Sequence, residues 1–220
     1  MTKIINFVKK LLPSYAIGPL AAVIFVNFVV FSGTQLLMDD VNRYSVLTEI
    51  DRLVPFVPAF IYIYFLAFAQ WFLSWILIAR EGKPFLYRFA AADILSKLIC
   101  LIFFVFYPTV MDRPVFEVTG AATFLVNLAY QVDKPYNLFP SIHVLESCMA
   151  CAAAFSFSRP PKYSRTLNIL FSLLVCLSVM FVKQHAFLDI PGGIAAALLG
   201  LLGARLLKNP IDRLARRNTL

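Results

Sequence analysis

The chain has 220 residues, of which 60% are hydrophobic and 15% charged, and its mean hydropathy is +0.78. A soluble fold cannot bury this much apolar surface, so the composition excludes a soluble domain and indicates a membrane protein whose apolar residues face lipid. The net charge of +8 does not indicate a nucleic-acid partner, because the basic residues are distributed as membrane topology requires.

Six apolar stretches approach the length of roughly 20 residues that a membrane-spanning helix needs. They predict an all-α fold: one membrane-embedded domain over residues 1–220, built as a bundle of six transmembrane helices. The predicted spans are residues 14–33, 55–79, 89–108, 141–158, 166–182 and 187–207.

Lysine and arginine residues are distributed unequally between the two sides that these spans define. Both termini and the second and fourth connections hold fourteen of them, the other three connections hold five, and Lys97 lies inside a span. Cytoplasmic loops carry an excess of Lys and Arg. The bias therefore predicts that both termini are cytoplasmic and that the first, third and fifth connections face the periplasm, the cell exterior or a lumen.

The first outer connection and the second span have contrasting compositions. The connection, about residues 34–54, is polar and acidic, and we interpret it as a solvated loop. The span carries Tyr62, Tyr64, Trp71 and Trp75. Such aromatic residues anchor helices at membrane interfaces or pack between helices, and a lipid-binding face is the alternative.

The third span contains two opposite charges, Asp93 and Lys97, four residues apart with the acid first. This spacing lets the two side chains meet on one face of the helix. A lone charge at bilayer depth costs at least about 2.5–3.5 kcal/mol. We therefore interpret them as an internal structural pair, with a catalytic role as the alternative.

The connection of residues 109–140 is long and hydrophobic, which predicts a re-entrant or interfacial segment between the third and fourth spans. Arg113 lies near its start, and its end belongs to the polar stretch 133–143, DKPYNLFPSIH. That stretch ends on His143, and the only other histidine is His185. Histidine has the ordinary pKa nearest to physiological pH. Since both histidines lie at span ends on the same predicted side, we expect them to share a site.

The residue types around the two histidines suit phosphoryl transfer. His185 followed four residues later by Asp189 is the arrangement of a nucleophile and an orienting carboxylate. Attack on phosphorus would leave a phosphohistidine, and His143 is the remaining histidine that can protonate the leaving group. Arg113 has the planar fork that suits phosphate oxygens, and Ser141 at a helix start completes an anion cradle. No metal or other cofactor is required.

Three short elements in this order resemble the type 2 phosphatidic acid phosphatase superfamily of membrane lipid phosphatases and phosphotransferases. The superfamily pattern reads K-x6-R-P, then P-S-G-H, then S-R-x5-H-x3-D. The resemblance covers the last half of the chain and implies the same six-helix fold and the same residue roles. The matching positions are Arg113, Pro114, Pro140, Ser141, His143, Ser178, His185 and Asp189, with Ile142 in the place of the glycine.

Two cation positions of the superfamily pattern hold apolar residues in this chain. Phe106 stands in the lysine position and Val179 in the arginine position. The available substitutes for binding the substrate phosphate are Lys183, two residues before His185, and Lys134, at the entrance to the polar stretch. The Lys-Gln-His third element and the Asp-Lys-Pro-Tyr-Asn run resemble the sphingolipid-synthase-like branch more closely than the commonest phosphatases.

Two further features concern packing around the site. Glu146, three residues after His143, is expected either to contact that histidine on the same helix face or to make a hydrogen bond inside the bundle. Gly192 and Gly193 are expected to allow close helix packing in the last span.

These features predict a metal-independent lipid phosphate phosphatase that acts at the outer or lumenal face through a phosphohistidine. Its substrate would be a phosphomonoester or pyrophosphate of a lipid, and its partners that lipid and the bilayer. The alternative is a headgroup phosphotransferase of the sphingolipid-synthase type, with a lipid hydroxyl as acceptor. A transporter is a third class, which would not need the ordered Arg, Ser-x-His and His-x3-Asp set. The sequence leaves the lipid, the acceptor and the oligomeric state open.

Overall fold

A computed structural model describes residues 11–37, 41–160 and 162–217 of the chain. The described part is mainly helical and includes one two-stranded parallel ladder. The basic residues Lys3, Lys9 and Lys10, which contribute to the predicted charge bias, lie outside these ranges.

The helices follow one another with short connections, apart from the segment before Glu49–Leu53 and the segments on either side of Ala121–Val132. The strands β1 (Tyr44–Ser45) and β2 (Thr109–Val110) join two of these segments. The first helix passes through a π-helical turn, Val29–Gly33. The helices are α1 (14–37), α2 (Glu49–Leu53), α3 (Pro58–Arg80), α4 (Lys83–Phe106), α5 (Ala121–Val132), α6 (Ile142–Ser156), α7 (Ser164–Phe181), α8 (Asp189–Leu206) and α9 (Lys208–Arg217).

Within the described residues, five helices are long and apolar enough to cross a membrane: Ser14–Leu36 of α1, together with α3, α4, α7 and α8. The prediction of an all-α polytopic membrane bundle is thereby confirmed, and the chain is an integral membrane protein. The predicted span 141–158 corresponds to α6, an apolar helix of 15 residues. At 1.5 Å per residue α6 is about 22 Å long, which is less than the roughly 30 Å of bilayer hydrocarbon.

Helix α6 lies inside the bundle. Nine of its fifteen residues are buried, and it packs against α3, α4, α7 and α8. Most of the α6 surface is therefore covered by protein and not by lipid. This location lets an apolar helix carry the ionisable residues His143 and Glu146, which would be costly in contact with lipid.

The predicted re-entrant or interfacial segment between α4 and α6 contains the apolar helix α5. Its buried residues Val126 and Ala129 belong to one apolar cluster with Ile61 and Tyr64 near the start of α3. This packing holds the end of α5, and with it the polar stretch 133–143, close to α3.

Glycines let α8 approach its neighbours closely. A Cβ atom added at Gly193 would lie 2.5 Å from the carbonyl oxygen of Ser141, and one at Gly192 would lie 2.5 Å from the ring of Phe139. The expected close packing at these two glycines is confirmed. Further along α8, a Cβ atom at Gly200 would overlap Ser96 of α4.

We expect Gly200→Ala to destabilise the protein by about 1–3 kcal/mol, the usual cost of overpacking a core. The added methyl group must push apart the α4 and α8 backbones. The control is Gly18→Ala on α1, where a Cβ atom would meet nothing within 4 Å. Melting temperatures in detergent test this, and equal values for the two variants would contradict the packing described here.

Candidate active site

Three predicted site residues meet where α6 and α8 begin. His185 lies in the turn before α8, Asp189 is the first residue of α8, and His143 is the second residue of α6. His185 Nδ1 is 3.2 Å from Asp189 Oδ2, and His185 Nε2 is 3.4 Å from His143 Nδ1. All three side chains are buried. We call this row the Asp189–His185–His143 chain.

Backbone contacts hold the two helix starts together. The N–H of Ser141 donates to the carbonyl of Asp189 at 3.1 Å, and Gly193 leaves room for this approach. The Ser141 hydroxyl caps α6 by accepting from Val144 N at 3.3 Å. Asp189 Oδ2 also accepts from Ala186 N at 2.8 Å, which orients the carboxylate toward His185. Ser141 therefore has a positioning role in this structure, because its N–H is already used.

The direction of the hydrogen bonds in this chain follows from the carboxylate. An ionised carboxylate only accepts, so His185 Nδ1 donates to Asp189. In the neutral form of His185, which nucleophilic attack requires, Nε2 carries the lone pair. His143 Nδ1 then donates to His185 Nε2, and His143 Nε2 has no hydrogen-bond partner among the described residues. The Asp189–His185–His143 chain is thus aligned for proton transfer, and it ends at His143 Nε2.

His143 borders an apolar cavity of about 820 Å³, which is lined by residues of α1, α3, α4, α5 and α6. Three aromatic residues of α3 surround the imidazole and form what we call the aromatic wall. Their ring centroids lie 4.6 Å (Tyr64), 6.0 Å (Phe68) and 5.5 Å (Trp71) from that of His143. The cavity gives a hydrocarbon chain access to His143, which lines it.

The predicted pair in the third span is part of a larger group. Lys97 Nζ lies 2.8 Å from Asp93 Oδ2 and 2.6 Å from Glu146 Oε1. We call these three buried residues the charged triad. Of the two interactions expected for Glu146, the structure shows the one inside the bundle. Lys97 and Glu146 also line the cavity.

Arg113 is held beside the histidine pair by the end of α5 and the turn before α8. Its Nη1 donates to the carbonyl of Asp133 at 2.5 Å, its Nη2 donates to Oε1 of Gln184, and its guanidinium stacks 4.3 Å from the ring centroid of Tyr130. Gln184 directly precedes His185, so these contacts bring the guanidinium to the site. Binding a phosphate would require Arg113 to exchange one or both of these oxygen acceptors for phosphate oxygens.

Asp133 is a buried carboxyl group on the cavity wall. Its Oδ1 accepts from Gln35 Nε2 at 3.2 Å. Burial raises the pKa of the Asp133 carboxyl above its ordinary value, and the neighbouring His185 and Arg113 lower that pKa in part. The carboxyl group therefore takes up a proton more readily than an exposed aspartate.

The two predicted substitute cations make contacts with other residues. Lys183 Nζ donates to the carbonyls of Asp51 and Val54, at 2.9 and 2.6 Å. Lys134 Nζ lies 6.0 Å from the ring centroid of Tyr136. Through these two hydrogen bonds, the Lys183 ammonium fixes the C-terminal end of α2.

The interpretation of residues 34–54 as a solvated loop is wrong for Asp51. This residue is buried, and its Oδ1 accepts from Phe187 N at 2.7 Å. Together with the bonds from Lys183, this contact ties the first outer connection to the turn that carries His185. The first connection is therefore part of the scaffold of the site.

Sequence reasoning missed the aromatic wall, Gln184 and Asp133 as neighbours of the histidine pair. The wall had a readable signal, because Tyr64, Phe68 and Trp71 are spaced i, i+4 and i+7 and so share one helix face. For Asp133 and Gln184 the spacing carries no such signal, since their neighbours come from other parts of the chain.

No protein-family model, curated protein or solved structure matches the chain. The function is therefore inferred from the geometry of the residues and from the motif resemblance.

We expect Lys183→Met to lower the melting temperature, because two carbonyls that now accept from an ammonium would lose their donor. Hydrogen bonds to a charged group contribute about 1.5–3 kcal/mol each. The control is Lys208→Met at the exposed start of α9. A Lys183→Met variant as stable as this control would contradict a structural role for the ammonium.

Proposed function

We propose that this protein is a lipid phosphate phosphatase whose nucleophile is His185. The observation that carries the proposal is the Asp189–His185–His143 chain, which ends on a large apolar cavity between membrane helices. The resemblance to the type 2 phosphatidic acid phosphatase superfamily supports it. A lipid tail in the cavity would bring its phosphate to the histidines.

In the proposed reaction His185 Nε2 attacks phosphorus. An N–P bond forms while the P–O bond to the lipid breaks, and His143, which enters this step as an imidazolium, gives a proton to the departing oxygen and becomes neutral. Asp189 stabilises the positive charge that develops on the imidazole. His143 then takes a proton from water, which attacks the phosphohistidine and releases inorganic phosphate and free His185.

The short separation of the two imidazoles imposes one condition on this reaction. Because His143 Nδ1 is 3.4 Å from His185 Nε2, a phosphorus atom reaches the nucleophile only when the His143 ring turns aside. Such a turn would place the ring beside the leaving oxygen, where a general acid is needed.

Arg113 is the proposed cation for the transferred group. A phosphomonoester carries close to two negative charges, and the transition state spreads charge over the equatorial oxygens. The guanidinium already points its two terminal nitrogens at oxygen acceptors beside the site. Exchange of these acceptors for phosphate oxygens would keep its hydrogen bonds satisfied.

The charge bias of the connections favours a site at the outer or lumenal face. The connections that carry His185, Arg113 and Asp51 belong to the side with five Lys and Arg residues, against fourteen on the other. In this orientation both termini are cytoplasmic.

Transfer to a lipid hydroxyl is a second candidate activity, favoured by the burial of the site. His143 and His185 are each 7% exposed and Asp189 is fully buried, so the phosphohistidine would be largely shielded from water. A lipid alcohol in the cavity would then compete well as acceptor. Adding such an alcohol together with a phosphodiester lipid as headgroup donor, and identifying the products by mass, separates the two activities, because only transfer of the phosphorylated headgroup yields a new phosphodiester.

We expect His185→Ala and His143→Ala to fail in different ways. His185→Ala should lose several orders of magnitude of turnover on every substrate, since no other group replaces a nucleophile. His143→Ala should lose about 10²–10⁴-fold on lipid phosphates. With an aryl phosphate, whose leaving group needs no proton, it should still release a burst of one equivalent of phenol.

Melting temperatures serve as the folding control for both variants. Turnover above a few per cent in His185→Ala would overturn the nucleophile assignment. Loss of the burst in a folded His143→Ala variant would overturn the general-acid assignment.

We also expect a chelator to leave turnover unchanged and vanadate to inhibit. The proposed reaction places all of its chemistry on histidine, aspartate and arginine side chains, and vanadate mimics a five-coordinate phosphorus. Phosphate release from a purified lipid phosphate in detergent measures both effects. Activity that is lost in chelator and restored by magnesium would point to different chemistry.

A further inference from the structure

The charged triad contains two carboxyl groups and one ammonium group, which is one carboxyl group more than charge neutrality requires. Asp93 and Lys97 already neutralise each other across one turn of α4 at 2.8 Å. Glu146 adds a second carboxyl from α6, and Asp93, Lys97 and Glu146 are 0%, 1% and 8% exposed. Ionisable residues at membrane depth are costly and usually serve a function. A structural pair alone would not require Glu146.

Two members of the triad line the same cavity as His143. Lys97 and Glu146 line it, as does His143, whose Nε2 is buried and unpartnered among the described residues. Glu146 follows His143 by three residues on α6, so it lies about 4.5 Å further along the helix axis at 1.5 Å per residue. A lipid in the cavity could therefore place its phosphate at the histidines and a polar group one helical turn deeper, at Lys97 and Glu146.

The remaining wall is mostly apolar, with Phe65, Phe72 and Leu128 among its residues. A lipid whose phosphate lies at the histidine pair and whose tail fills this volume must present its first few linking atoms to Lys97 and Glu146. The carboxylate accepts hydrogen bonds and the ammonium donates them. Hydroxyl and amide groups satisfy both partners, whereas a hydrocarbon satisfies neither.

We propose that Lys97 and Glu146 bind a hydroxyl or amide group next to the phosphate of the lipid. The substrate class is then lipid phosphates that carry such a group within a few bonds of phosphorus. Polyprenyl phosphates, whose chain is hydrocarbon from its first carbon, are disfavoured. The substrate statement rests on the proposed phosphatase function, whereas the binding site is testable without any phosphate.

Cavity occupancy is measurable because the two tryptophans of the chain, Trp71 and Trp75, both line this cavity. Bromine atoms on a bound lipid quench nearby tryptophan fluorescence. The two probes are a ceramide with a brominated acyl chain, which has hydroxyl and amide groups, and a brominated alkane of the same chain length. Neither contains phosphate, so the result does not depend on catalysis.

We expect the wild-type protein to bind the ceramide about tenfold more tightly than the alkane. Glu146→Leu should remove this preference and leave alkane binding unchanged, while the Lys97–Asp93 pair remains neutral. Glu146→Gln, which preserves size and hydrogen bonding, should fold in any case and show a reduced preference. The control is Phe65→Leu on the apolar wall, which should weaken the binding of both probes equally.

Equal binding of the two probes by the wild-type protein would overturn the proposal, as would an absence of quenching by either. An equal loss of binding affinity for both probes in the Glu146 variants would also overturn it. Failure of the phosphatase function has a different signature, since no phosphate would then be released from a ceramide phosphate although the ceramide still quenches.

Discussion

The hydrogen bond from Ser141 N to Asp189 O, 3.1 Å long, sets the starts of α6 and α8 side by side. Gly193 permits the approach, since any larger residue would meet the Ser141 carbonyl. Because His143 and Asp189 lie in the first turns of these helices, the contact places two motifs more than forty residues apart around one point. The 3.4 Å separation of the two imidazoles therefore depends on the placement of both helix starts.

Four buried ionisable side chains line one cavity. His143 and Glu146 on α6 and Lys97 on α4 all line it, together with Asp133. Ionisable groups at membrane depth are tolerated when they pair with one another or face a cavity, and here they do both. The same constraint that makes these residues costly in lipid therefore explains their placement along one route from the membrane to the histidines.

Local spacing predicted the contacts that lie within one helix or turn and failed for contacts between distant segments. The four-residue spacing of Asp93 and Lys97 predicted their meeting, and the apolar lengths predicted the membrane helices. Glu146 was within reach of either His143 or the bundle interior, and only the packing of α6 against α4 decides between them. Lys183 is held by carbonyls 129 and 132 residues away in sequence, a pairing that no local pattern indicates.

The central claim is that His185 carries the phosphoryl group during turnover. The most direct measurement is to incubate the protein with a lipid phosphate labelled with radioactive phosphorus, denature it at alkaline pH and separate protein from lipid. A phosphohistidine predicts protein-bound label that survives alkali, is lost in acid and is absent from His185→Ala. Label of the same lability on a folded His185→Ala variant, or acid-stable label on the wild-type protein, would contradict the claim.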